Sequence, residues 1–256
     1  SGPGEDLSAT GDLDIRQDLR IFGQGAGQTV IDADGLERVF QIFGGVTVHI
    51  SGVTITGGAV VGSEDGGGIR SGGDLTLEDV VVSNNSTLDS GGGINSSGSL
   101  SLIGSVVIGN SAAADGGGIR NTGTLNGLNS EFSENFSGVD GGALVNIAQG
   151  DAVFNNVTFS GNSSGRDGGA VHNEAVLLLN STTIAHNNAE NFAGGVSSDA
   201  GSQTSIQNSL VGRNSATLNF PDVSGVFTTL GNNLIENNSG ADVSFPAGLP
   251  NANGDL

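Results

Sequence analysis

The stretch Asp65-Gly66-Gly67-Gly68-Ile69-Arg70 returns unchanged as Asp115-Gly116-Gly117-Gly118-Ile119-Arg120. Degenerate copies read Ser90-Gly91-Gly92-Gly93-Ile94-Asn95, Asp140-Gly141-Gly142-Ala143-Leu144-Val145 and Asp167-Gly168-Gly169-Ala170-Val171-His172. The apolar residue of the motif falls at Ile69, Ile94, Ile119, Leu144, Val171 and Val196, in steps of 25, 25, 25, 27 and 25 residues. A fixed period of this size marks a solenoid, in which each repeat buries its apolar face only against its neighbours.

Within each repeat the apolar residues alternate with period two, the pattern of a strand. Leu75 and Leu77 match Leu100 and Leu102, then Leu177 and Leu179. Later in the repeat come Val80 and Val82, then Val107, Phe132, Phe159, Ile184, Val211 and Ile235. Three short strands per repeat, separated by Gly, Asn and Ser turns, predict one turn of a parallel β-helix. The expected fold class is all-β: a single-stranded parallel β-helix solenoid of about 25 residues per coil, with roughly nine coils stacked at ~4.8 Å into a rod about 40–45 Å long.

A second marker sits three residues after the last apolar position: Asn85, Asn110, Asn135, Asn162, Asn187, Asn214 and Asn238. Stacked asparagines bond amide to amide and tolerate left-handed backbone, so they predict a structural ladder. The competing reading is glycan attachment at the Asn-X-Ser/Thr triplets of Asn85, Asn135 and Asn162. The two-residue insertions fall near 146–150 and 198–202, between the first and second strands. Variable turns of a solenoid are its usual functional positions. Three regions follow: irregular N-terminal coils over 1–60, regular repeats over 61–215, and a last coil with a cap or the start of a continuation over 216–256.

Of 256 residues, 46 are Gly, far above the usual ~7%. Cys, Met, Trp and Tyr are absent, and so is Lys. The missing Met predicts a processed chain or a piece of a longer protein. No apolar run approaches the ~18 residues of a transmembrane helix. The net charge of −20 comes from seven Arg against 27 acids. It weighs against nucleic acid and anionic membrane surfaces, which require clustered bases.

The runs Gly11-Asp12-Leu13-Asp14-Ile15, Asp18 to Asp32 and Val46 to Gly58 resemble bacterial surface proteins with CSLREA and choice-of-anchor Q domains. The Gly-Gly-Ala/Gly-Ile and Phe-x-x-Asn repeats (Phe132 to Asn135, Phe159 to Asn162) are similar to those of chlamydial polymorphic outer-membrane proteins. The resemblance covers nearly the whole chain. It implies a right-handed β-helix and an exported, cell-surface, extracellular or periplasmic location, and it brings no catalytic residues.

Candidate chemistry is sparse. Asp115, Asp140 and Asp167 share one position in three successive coils, and Asp65 takes it two coils earlier. Carboxylates stacked at ~5 Å repel by roughly 0.8 kcal/mol per pair in water. Asx turns onto the following glycines, or Ca²⁺ bound between coils, would offset this. His172 and Glu174 lie two apart on a strand, hence on one face, and read as a solvated surface pair or a metal or acid/base pair. His49 and His186 stand apart from them. A lyase needs a base beside carboxylates, and Arg70 and Arg120 read as isolated. A hydrolase needs two spaced carboxylates, and Asp32 and Asp34 read as a turn. The sequence predicts a non-catalytic exported structural or adhesin-like module without a required cofactor. Its expected partners are other surface proteins or its own copies, with carbohydrate open. The alternatives are a polysaccharide-active lyase or hydrolase, or a binding subunit docked on a larger complex through outward apolar residues such as Phe136 and Phe192.

Overall fold

The computed structural model describes residues 11–241, 244–245 and 254–255. Every regular element named among them is a strand. A typical coil consists of Ile69–Ser71, Asp74–Glu78, Val81–Ser83 and Ser86–Thr87. Equivalent strands of successive coils pair in parallel, building four sheets, A to D in coil order. Sheet A runs from Leu13–Ile15 to Val223–Gly225, sheet B from Leu19–Phe22 to Phe227–Thr229 and sheet C from Val30–Asp32 to Leu234–Ile235, each with nine strands. The nine-coil parallel solenoid expected from the period is the observed fold.

Sheet D corrects the expectation of three strands per coil. It holds seven strands, from Ala59–Val60 to Ser215–Ala216, and is missing from the first and last coils. Each is two residues long and built largely of Ser and Ala, so no period-two apolar signal marks it.

Register carries the sequence columns into space. Ile94 pairs with Ile69 on one side and Ile119 on the other, and Leu100 likewise with Leu75 and Leu125. A one-residue slip would turn each inward row to solvent, so burial pins the pairing. Ile69, Ile94, Ile119, Leu144, Val171, Val196 and Val223 are all fully buried. Side-chain volume is balanced between coils. Gly127 and Phe154 are register partners, and a Cβ on Gly127 would lie 2.4 Å from the Phe154 ring. The Phe154 ring fills that space and meets Phe132 and Phe159 edge-on, at 5.6 and 5.2 Å between centroids. Phe132 and Phe159 stack at 4.8 Å.

The corner between sheets C and D is closed by the asparagine ladder. Nδ2 of Asn85, Asn110, Asn135, Asn162 and Asn187 each donates to Oδ1 of the next asparagine at 2.9–3.0 Å. Asn85, Asn135 and Asn162 are at most 1% exposed, which fits the ladder and not glycan attachment. Left-handed backbone belongs to the residue before each ladder position: Asn84, Gly109, Glu134, Gly161, His186 and Arg213. Asn238 is outside the row. Its Nδ2 donates to the Phe245 carbonyl, and Asn214 donates to Asp222 instead.

The second glycine of each motif is set by close approach. A Cβ on Gly92 would come within 2.4 Å of the backbone oxygens of Gly117 and Ser111. The third position tolerates alanine, present and fully buried at Ala143 and Ala170. Over the last coil, Phe245 meets Phe227 at 5.6 Å, and Oδ1 of Asp255 accepts the Asn233 amide. The remainder of the C-terminal stretch expected to cap the rod lies outside the described residues, as do residues 1–10.

Candidate functional site

The motif that makes the fold also lays its aspartates along one edge of sheet A. Each carboxylate bonds across coils. Oδ1 of Asp65 accepts the Ser90 N–H, and the Ser90 hydroxyl oxygen accepts the Asp115 N–H. Oδ1 of Asp115 accepts the Asp140 N–H, Asp140 the Asp167 N–H and Asp167 the Phe192 N–H, each at 3.1 Å. The acceptor role expected of these aspartates is present, but it serves the next coil and not an Asx turn on their own glycines.

Arginines offset the stacked charge. Nε of Arg166 donates to Oδ1 of Asp140 at 2.8 Å, Nη2 reaches Oδ2, and Asp167 lies 3.9 Å from Nε. That bond to Asp140 raises the Arg166 pKa. Arg120, read as isolated, donates to Oδ2 of Asp65 two coils away at 3.3 Å and to Oδ1 of Asn95. Burial pushes the carboxyls of Asp65 and Asp167 above their usual range. For Asp65 the charge of Arg120 opposes this most strongly. For Asp167 the Phe192 N–H opposes it, Asp140 adds to it, and His172 and Arg166 pull back.

His172 occupies the outward position of its strand, in the column of Arg120 and Val145. It is not solvated. Its side chain is 2% exposed, so the expected surface pair is corrected to a buried imidazole with an exposed acid. Nε2 stands 3.4 Å from Oε1 of Glu174 and 3.8 Å from Oδ1 of Asp199, while Nδ1 has no hydrogen-bond partner. Asp199 belongs to the second insertion and is a residue that sequence reasoning missed. The signal was register: Asn173 pairs with Ser198, which sets the residue after it beside the turn that carries Glu174. The Asp199 N–H donates to the Asn173 carbonyl at 2.9 Å.

The insertions sit beside a second asparagine row. Asn121 donates to Asn146 and Asn146 to Asn173, both at 2.8 Å, and Asn173 donates to Thr204. The recurrence of Asn at 121, 146 and 173 was its sequence signal.

The other candidates stay apart. His49 faces Glu78 at 3.5 Å in the second coil, and His186 is an exposed turn residue with φ 62°. Asp34 donates its N–H to Oδ1 of Asp32, and this pair is the turn its sequence suggested. Phe136 is 47% exposed in sheet D, while Phe192 stacks on Phe220 at 5.8 Å. Among the described residues no helix is long and apolar enough to cross a membrane.

Residues 156–174 match the family model of the Chlamydia polymorphic membrane protein repeat. The matched segment begins at the corner before sheet C, passes through Phe159, Asn162 and the Gly168-Gly169 turn, and ends at Glu174. No curated protein and no solved structure gives a significant match to the chain.

Proposed function

We propose that this chain is a non-catalytic, surface-exposed β-helical module of a larger exported protein, acting as an adhesin-like or structural rod. The observation that carries this reading is the match of residues 156–174 to a polymorphic membrane protein repeat, because the matched segment contains the Phe, Asn and Gly-Gly positions that recur along the rod. Most recurring side chains are consumed in joining one coil to the next: the inward aliphatics, the asparagine rows and the Asp65–Phe192 column. That leaves outward faces and bulges to meet partners, which are other surface proteins, further copies of the chain or carbohydrate.

The test is antibody labelling and protease accessibility on intact cells that make the native protein. The expected result is labelling without permeabilisation, and removal of the epitope by protease added outside. Labelling only after the envelope is opened would overturn the surface role.

A further inference from the structure

The described residues contain one group of three side chains placed to hold a metal ion: His172, Glu174 and Asp199. His172 comes from sheet A, Glu174 from the turn after it, and Asp199 from the insertion in the next coil. Their donor atoms all lie within 4.8 Å of one another. A tetrahedral zinc ion with ligands at ~2.0–2.1 Å holds its ligand atoms about 3.4 Å apart. The His172–Glu174 separation is already 3.4 Å, and His172–Asp199 is slightly wider at 3.8 Å. The two acids are 45% and 52% exposed, so their carboxylates have room to close on an ion.

The imidazole sets the geometry of the group. Its 2% exposure fixes the ring, and its Nε2 is the atom turned to both acids. Arg166, beside the Asp column, has its donors on Asp140. Two carboxylates neutralise a divalent cation, and an imidazole favours zinc and its neighbours over calcium or magnesium, which prefer all-oxygen shells.

We propose that His172, Glu174 and Asp199 bind one divalent transition-metal cation of the zinc class. Three protein ligands leave a fourth position for water or for a donor atom from outside. The ion ties two coils together, since Asp199 lies one coil beyond the other two. The site stands independently of the surface role.

The test uses the full chain, stripped with chelator and titrated with zinc sulfate by calorimetry, with Tm followed in parallel. One zinc per chain is expected, with Tm raised by about 5–10 °C at a hundredfold excess over Kd. Asp199→Asn and Glu174→Gln change exposed groups, so they keep the fold and each weakens binding by at least about tenfold. Asp115→Asn, in the neighbouring column, leaves it unchanged. Zinc binding equally tight in both ligand variants overturns the assignment. Absence of binding at millimolar zinc also overturns it, and makes His172 an ion-pair residue only.

Discussion

Two corners of the same coil have taken opposite routes. The corner of Asn85 to Asn187 keeps the length from each ladder asparagine to the glycine turn constant, while the corner between sheets A and B accepts two extra residues at 146–150 and again at 198–202. Both are lined by buried asparagines, so side-chain polarity is not the difference. The difference is what satisfies the backbone. At the ladder corner the main-chain N–H of each asparagine donates to the side chain of the next coil, as Asn110 N–H does to Asn135 Oδ1. A longer corner would strand both groups. At the tolerant corner the inserted turn bonds backbone to backbone, Ile147 N–H to the Asn121 carbonyl and Gly150 N–H to Ile147. The second insertion repeats this, with Ser202 N–H on Asp199. In uninserted coils Gly123 N–H and Ala175 N–H bond within their own coil to Oδ1 of Asn121 and Asn173. An insertion that satisfies its own amides costs little, and it can present a side chain such as Asp199.

The sharpest test of that contrast is Asn135→Ala. Asn135 is fully buried, donates to the Val107 carbonyl and to Asn162, and accepts from the N–H and the amide of Asn110. Stranding several buried polar groups at roughly 1–3 kcal/mol each predicts a loss of about 4 kcal/mol, read by urea unfolding. A loss under about 1 kcal/mol would mean that the ladder is not what makes this corner strict.

The tolerant corner predicts the opposite. Deleting the exposed pair Ala148 and Gln149 leaves Asn146-Ile147-Gly150-Asp151, the spacing of Asn121-Thr122-Gly123-Thr124 one coil earlier. Stability should stay within about 1 kcal/mol, because the deletion restores a turn the solenoid already uses. Loss of cooperative unfolding would show that the insertion is structural.

The smallest effect is electrostatic. Asp167 is half-buried, with its carboxyl raised by burial and by Asp140, and lowered by Phe192 N–H, His172 and Arg166. An acid whose folded pKa is raised binds its proton more tightly when folded, so its contribution to stability falls as pH rises from the ordinary 3.8 through the folded value. Asp167→Asn keeps an acceptor for Phe192 N–H without the charge. It should raise Tm by about 2 °C at neutral pH, and the gain should vanish as pH falls below 3.8. A gain that persists in acid would assign the effect to packing.

Residues that repeat at a fixed step were legible in sequence, because in a parallel solenoid the step is the register. The inward column from Ile69 to Val196 and the ladder from Asn85 to Asn214 both emerged this way. Sheet D escaped because two small residues carry no periodic signal. The Asp column was seen, but its partners were not: Ser90 and Phe192 occupy the same position without being acids. Arg120 looked isolated because its carboxylate lies 55 residues away. Asp199 was hidden by the insertion that contains it, which breaks the arithmetic by which neighbours are counted.

The ladder also gives the rod a direction. Each asparagine-to-asparagine bond in it runs from an amide donor to the acceptor one coil nearer the C-terminus, so the row has an accepting head and a donating tail. Aligned bonds of this kind polarise one another. The tail is met by an anion: Asn214 donates both its N–H and its amide to Asp222, which is 2% exposed. At the head, Asn85 Oδ1 accepts only a neutral Gly58 N–H. The two ends of the row are therefore chemically unlike. Asp222 is the charge that marks where the row stops.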